Sequence, residues 1–317
     1  MRPASKSHPQ ANKANSSKRR PPASTGNPIE ILRAPTLAQL PSLVHGFSTR
    51  QGGVSKCYRG DALNLGLTQH DTRENVARNR ALFLGALGAE NEDGSLWPLV
   101  QLKQIHSSVV QRVSAVPREA LSGDGLITNT TGLLLAIKTA DCVPVLVADV
   151  KRHAVGAFHA GWRGTVARVV EKGIGDMRRQ FGSVPRDLHT VIGPCIRRCC
   201  YQVGAEVRTE FESQFSYADE LFEEVFDADA IQARYPLLFL NQGAPGHGDL
   251  GPEIHLDLVE ANKRQLLDTG IREERISVID GCTACDTTRF FSHRAEFGQT
   301  GRLMAVIGIR EERTAAG

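Results

Sequence analysis

Leu133-Leu-Leu-Ala-Ile137, Thr139-Ala-Asp-Cys142-Val-Pro144 and Ala154-Val-Gly-Ala-Phe-His159-Ala-Gly-Trp-Arg-Gly164 decide how this chain folds. Apolar runs this short, bounded by Gly, Pro and Asp, read as strands buried on both faces: Leu133–Ile137, Val143–Asp149 and His153–Phe158. They place a thiol and an imidazole, seventeen residues apart, near the ends of successive strands. Cys and His projecting from rigid strands can form a nucleophile pair or two ligands of a metal. Upstream, Gln104-Ile-His106-Ser offers a third candidate ligand.

Working outward, Asp71-Thr-Arg-Glu74 has the form of a capping box, ahead of Val76, Arg80, Phe83, Leu84 and Leu87 at helical spacing. Thr165–Phe181 reads as one helix with Val166, Val169, Val170, Ile174, Met177 and Phe181 on one stripe. Leu256–Leu267 reads as another, stopped by Gly270. Thr190–Ile192, Ile276–Ile279 and Leu303–Ile309 complete the strands. The acidic residues 217–230 read as a solvated helix or an insertion, and the Gly/Pro-rich stretch Asn241–Pro252 as a loop. Strands and helices mix without a repeat, which predicts a single α/β domain over 29–317, preceded by a disordered basic tail over 1–28. No Walker loop is present, and no dinucleotide-binding glycine fingerprint follows a strand.

The 317 residues, 41% of them hydrophobic, suffice for one large core or two small ones. The net charge of +3 is concentrated at one end. Residues 1–26 hold six Lys and Arg and no acid, so removing them leaves the body at about −3. That balance does not describe a nucleic-acid surface. The tail lacks the apolar stretch of a secretory signal, with organelle targeting a minor reading, and no later segment approaches a membrane span. Seven cysteines, an odd number without a regular framework, point to reduced thiols and a cytoplasmic location.

If His106, Cys142 and His159 meet, three N and S ligands leave a fourth tetrahedral position open, where a catalytic zinc ion activates water. Taken singly, each residue has a plainer reading: a Cys in an apolar strand is usually a small core residue, and a His usually caps something. Gly161, Gly164 and the following helix start offer free amides to an anion such as phosphate, with Arg163 beside them. An ordinary tight strand-to-helix turn would look the same. Ser48-Thr-Arg50-Gln-Gly-Gly53 is a second glycine-supported turn, with Arg50 placed to clamp an anion. Asn64, in Leu63-Asn-Leu-Gly66, is a candidate polar anchor or a turn cap.

Several stretches together carry a resemblance. They are His45-Gly-Phe-Ser-Thr-Arg-Gln-Gly-Gly-Val-Ser55, Leu63-Asn-Leu-Gly66, Gln104-Ile-His106, Gly123-Asp-Gly-Leu-Ile-Thr128 and Thr139-Ala-Asp-Cys-Val-Pro-Val145. They continue through His159-Ala-Gly-Trp-Arg-Gly164, Ile192-Gly-Pro-Cys195, Cys200-Tyr-Gln-Val-Gly204, Leu256-Asp-Leu258, Cys282-Thr283, Phe290-Phe-Ser-His-Arg294 and Thr300-Gly-Arg302. In this order the chain resembles the purine nucleoside phosphorylase family filed as laccase-domain, polyphenol-oxidase or YfiH-like proteins. The resemblance implies a mixed α/β sandwich with helices covering the sheets, and a zinc (Zn2+) site at His106, Cys142 and His159. It also implies phosphorolysis of adenosine, inosine, guanosine or methylthioadenosine, with adenosine deamination in the same pocket. Purine nucleosides and inorganic phosphate are then the partners, with Arg50 and the Arg163–Gly164 turn expected to hold phosphate.

Other readings have their own signatures. Cys142 deprotonated by His159 would make a Cys–His amidase, which the family's link to peptidoglycan editing keeps open. Copper oxidation of phenols is disfavoured, because the ten histidines include no His-x-His pair. A structural four-cysteine site from Cys195, Cys199 or Cys200, Cys282 and Cys285 rests on one ligand-spaced pair, Cys282-x-x-Cys285.

Overall fold

The computed structural model describes residues 28–225 and 252–311. Residues 1–27 of the basic tail, the acidic stretch beyond residue 225 and nearly all of the Gly/Pro-rich loop lie outside the described residues. The acidic stretch begins as a short 3-10 turn, Ala218–Leu221, and a strand, Phe222–Val225, rather than a helix.

The three apolar runs form strands at Leu134–Thr139, Val143–Asp149 and Ala154–Ala160, and nearly every residue in them is buried. Leu134–Thr139 pairs antiparallel with Leu303–Ile309, which pairs in turn with Leu43–Ser48. With the Ile31–Leu32 and Leu99–Gln101 strands at the two edges, these make a five-stranded sheet. Val143–Asp149 and Ala154–Ala160 pair with each other at the centre of a six-stranded sheet. His189–Ile192 and Gly125–Thr128 flank that pair, and Ile276–Val278 and Val110–Arg112 form the edges. The chain therefore leaves one sheet at Thr139 and enters the other at Val143, and Cys142 sits in that crossing.

Side-chain alternation sorts these strands into layers. Leu135, Ile137, Ala305 and Ile307 from the first sheet meet Leu146, Ala148, Val155 and Ala157 from the second in one core between them. The opposite residues face outward to helices. Val143, Val145, Val147 and Phe158 pack under Val169–Phe181 and Leu258–Asp268. Val44, Leu134, Ala136 and Val306 pack under Arg73–Leu87 through Phe83, Leu84 and Leu87. The architecture is a mixed α/β sandwich with helices over both outer faces. A third, three-stranded sheet of Gln202–Val203, Glu253–Leu256 and Phe222–Val225 lies beside it.

Three expected helix boundaries shift: Leu256 ends a strand, and the helix expected to begin there runs Leu258–Asp268. The first helix is capped by Thr72, whose hydroxyl accepts from the Asn75 amide, while Asp71 accepts from the Thr72 amide and the Asn75 side chain. The expected Thr165–Phe181 helix is two: Trp162–Val166 and Val169–Phe181. Arg168 between them adopts a left-handed backbone (φ 61°), which stops the first helix and starts the second at a new angle.

Candidate metal centre and substrate pocket

Two turns and a strand end at one end of the sandwich bring His106, Cys142 and His159 together. One ligand atom from each lies within 4.8 Å of the others. His106 Nε2 is 3.9 Å from Cys142 Sγ, and the two imidazole rings meet edge to face with centroids 5.0 Å apart. His159 projects from the Ala154–Ala160 strand opposite Pro144, so the same pairing that builds the sheet sets His159 beside the Cys142 crossing. Gly161 closes the approach: a Cβ there would stand 3.0 Å from both Cys142 Sγ and His106 Cδ2.

A residue without a marked sequence signal holds this arrangement. Asp124 is fully buried, and its carboxylate accepts from the amides of Ile105, His106 and Ser107, from the Ser107 hydroxyl, and from His159 Nδ1 at 2.9 Å. These bonds hold His106 with a left-handed backbone (φ 57°) and fix His159 with its proton on Nδ1, which turns Nε2 toward the centre. Burial would raise the Asp124 pKa, but the hydrogen bonds from His159 and Ser107 outweigh it and hold the group at about 2. In the sequence it stands within the family-like stretch Gly123–Thr128, but the glycine on either side reads equally well as a turn and gives no sign of a buried carboxylate.

Burial works against charge at the other two groups as well, and again loses. The Cys142 thiol is drawn down to about 6 by the His159 charge and by hydrogen bonds to both imidazoles. His159 is raised to about 9 by Cys142 and Asp124. The pair is thus biased toward thiolate and imidazolium, and a divalent ion would take the place of the proton on His159 Nε2. The N/S donor set, the seating of His159 through Nδ1 and the space left by Gly161 all fit a divalent ion such as zinc.

These residues line a cavity of about 640 Å³, within the range of small-molecule sites. Trp162 and Tyr201 supply aromatic wall, and Lys103, Lys138, Arg163, Arg294 and Arg302 supply positive charge. None of the five forms an ion pair with a described residue. Lys138 is held below the usual lysine range by burial first, then by the charges of Arg80 and Arg302. Of these cations only Arg163 was expected, and it lies over the Trp162 ring at 4.2 Å.

The remaining expected site residues are elsewhere. Arg50 does not reach the pocket. Its guanidinium is buried, donates to Glu296 Oε1 and to the carbonyls of Thr287, Phe290 and Tyr58, and lies over the Phe291 ring. Both terminal nitrogens, the pair that would clamp phosphate, are instead engaged in joining chain segments. Asn64 is also buried; it donates to Asp71 and accepts from the amides of Gly66 and Arg302, so it anchors the turn behind two pocket-lining residues. Gly164 sits below the pocket wall, where a Cβ would come within 3.3 Å of the carbonyls of His159 and Ser107. Its role is close packing of the turn, and Trp162 and Arg163 are the members of that turn that reach the cavity.

Comparison with known proteins bears directly on this geometry. The family model described as multi-copper polyphenol oxidoreductase laccase matches residues 44–310. A purine nucleoside phosphorylase of Deinococcus radiodurans is 37% identical over 283 residues, covering 89% of this chain and 93% of that protein. Adenosine deaminase RL5, from an unknown prokaryotic organism, is 31% identical, covering 83% and 93%. The crystal structure of the hypothetical protein YfiH of Bacillus licheniformis superposes with a TM-score of 0.73 at 30% identity, covering 90% of this chain and all of that one.

Proposed function

From the premise that this chain belongs to the laccase-domain family described as multi-copper polyphenol oxidoreductase laccase, with its purine nucleoside phosphorylase relatives, we propose that it is a zinc-dependent purine nucleoside phosphorylase. Adenosine, inosine, guanosine and methylthioadenosine are the substrates of this reading, with adenosine deamination as a second activity of the same pocket. One observation carries it. Three N/S ligand atoms converge within a cavity whose wall combines aromatic rings with cations that have no carboxylate partner among the described residues.

His106, Cys142 and His159 would hold the ion, which when bound supplies Lewis acidity toward the substrate or toward a water at the purine ring. The chain's own residues do the rest. Trp162 and Tyr201 offer faces for the purine. Lys138 and Arg302, with Lys103 and Arg163, hold inorganic phosphate against the ribose C1′, a role that Arg50 cannot fill from its buried position. Phosphate also relieves the repulsion among Lys138, Arg80 and Arg302. The relative named adenosine deaminase supports the second activity.

Lys138→Gln tests the phosphate assignment. Loss of one charge-assisted contact should raise KM for phosphate by about 10-fold or more, with KM for the nucleoside little changed. An unchanged KM for phosphate removes Lys138 from the site.

A second reading has one observation in its favour. The Cys142 thiolate, His159 imidazolium and Asp124 carboxylate also form a Cys–His–Asp series, the arrangement of an amidase acting in peptidoglycan editing. Such an enzyme keeps its activity when divalent metal is stripped away, whereas the phosphorylase loses it.

A further inference from the structure

Four of the seven cysteines gather at a second place, outside the pocket. Cys199 and Cys200 come from the loop after Ile192, and Cys282 and Cys285 from the turn after Val278. Their four sulfurs lie within 4.8 Å of one another. Cys199 Sγ is 3.8 Å from Cys200 Sγ and 3.5 Å from Cys285 Sγ, and the Cys200–Cys285 separation is 3.2 Å. Four thiolates around one zinc at about 2.3 Å occupy the corners of a tetrahedron whose edges are about 3.8 Å. The three separations run from that figure down to 3.2 Å, and none approaches the about 2.05 Å of a disulfide.

The surrounding backbone fits ligand sulfurs too. The Arg197 amide donates to Cys282 Sγ at 3.4 Å, a contact that stabilises a metal-bound thiolate. Arg197 also donates through its guanidinium to the carbonyls of Gly281 and Ile279, and the Thr283 amide donates to the Cys195 carbonyl. The two loops are therefore joined before any ion is added. Cys195, expected as a ligand, is instead wholly buried in the core beneath the helices, and adjacent Cys199 and Cys200 both take part.

We propose that Cys199, Cys200, Cys282 and Cys285 bind a second zinc ion as a closed, structural site. With four protein ligands the ion has no open position, so it works on the architecture and not on the reaction. Its place explains what it secures. Tyr201 follows Cys200 directly and lines the pocket. Thr283, between the other two ligands, donates to Asp141 Oδ1 at 2.7 Å, and Asp141 precedes Cys142 with a left-handed backbone (φ 91°). Asp141 Oδ2 in turn accepts from the amide of Arg294, another wall residue. The second ion thus fixes one wall of the pocket and the turn that presents Cys142.

The test is zinc per chain, by elemental analysis of full-length protein purified under reducing conditions. Wild type should carry two, while Cys200→Ser/Cys285→Ser and Cys142→Ser each carry one. Should the double variant fail to fold, cobalt-loaded Cys142→Ser still decides, because a tetrathiolate cobalt site has intense sulfur-to-metal charge-transfer absorption and a site of two histidines does not. Zinc that stays in Cys142→Ser but leaves in the double variant supports this site even if the pocket's own metal assignment fails. One zinc per wild-type chain that is lost in Cys142→Ser, a Cys200–Cys285 disulfide in the purified protein, or iron in place of zinc would each overturn the proposal.

Discussion

At the scale of single residues, Asp124 matters most among those that touch neither ion nor substrate. Its one carboxylate positions two of the three candidate ligands, one in the turn after the Leu99–Gln101 strand and one on the Ala154–Ala160 strand. Asp124→Asn keeps the size but replaces one acceptor oxygen with a donor, leaving the 105–107 amides and His159 Nδ1 short of partners. A loss of about 10–100-fold in zinc affinity is expected, read by competition with a chromophoric chelator. Equal affinity in the variant would show that the strands alone orient the imidazoles. Cys142 and His159 were legible in the sequence because strand pairing dictates their approach. Asp124 was not, since nothing in Gly-Asp-Gly distinguishes a turn from a buried carboxylate with five donors. Arg50 was misplaced for a related reason. A glycine-supported Arg turn looks alike whether its donors face an anion or the carbonyls of a segment more than two hundred residues away.

At the scale of elements, the strands were readable and the helix break was not. Continuous apolar runs of five to seven residues, too short for a helix and bounded by Gly, Pro and Asp, read as strands buried on both sides, and Val143–Asp149 and Leu303–Ile309 fall where the pattern puts them. The break at Arg168 is set from outside: its guanidinium bonds Glu171 and the Gln214 carbonyl and lies over the Phe215 ring, contacts that a hydrophobic stripe does not reveal. Packing also overrides propensity in the helix that follows. Gly173→Ala should gain about 1 kcal/mol of helix propensity. The added Cβ, however, would stand 2.1 Å from Cε1 of Phe158, which is fully buried beneath the helix and has no room to retreat. Overpacking of that kind costs about 1–3 kcal/mol or more, so net destabilisation is expected in a denaturant titration. A stabilised variant would mean that the Phe158 contact yields easily.

At the scale of the whole molecule, His45 couples stability to pH. It is buried in the five-stranded sheet and accepts a hydrogen bond from the Ala34 amide through Nε2, which requires a neutral ring. Burial first, then the Arg33 charge, lower its pKa from 6.5 to about 4. Between those values the unfolded chain binds a proton that the folded chain refuses. This contribution is complete above pH 6.5 and lost as pH falls toward 4, amounting to about 2 kcal/mol by pH 5. His45→Gln should therefore lose less stability than wild type between pH 7 and pH 5 in urea titrations; parallel losses would contradict the assignment.

The same scale holds the functional claim. Two sheets bring the Cys142 crossing, the His159 strand and the Asp124–His106 turn to one end, and the 282–302 segment completes the cavity with Arg294 and Arg302. The most direct measurement is release of free base from adenosine and inosine, with and without inorganic phosphate, before and after chelation and after return of zinc. Base release should require both phosphate and metal, vanish on chelation and recover with zinc. Release that persists without metal, or none on any purine nucleoside when both are present, would contradict the account.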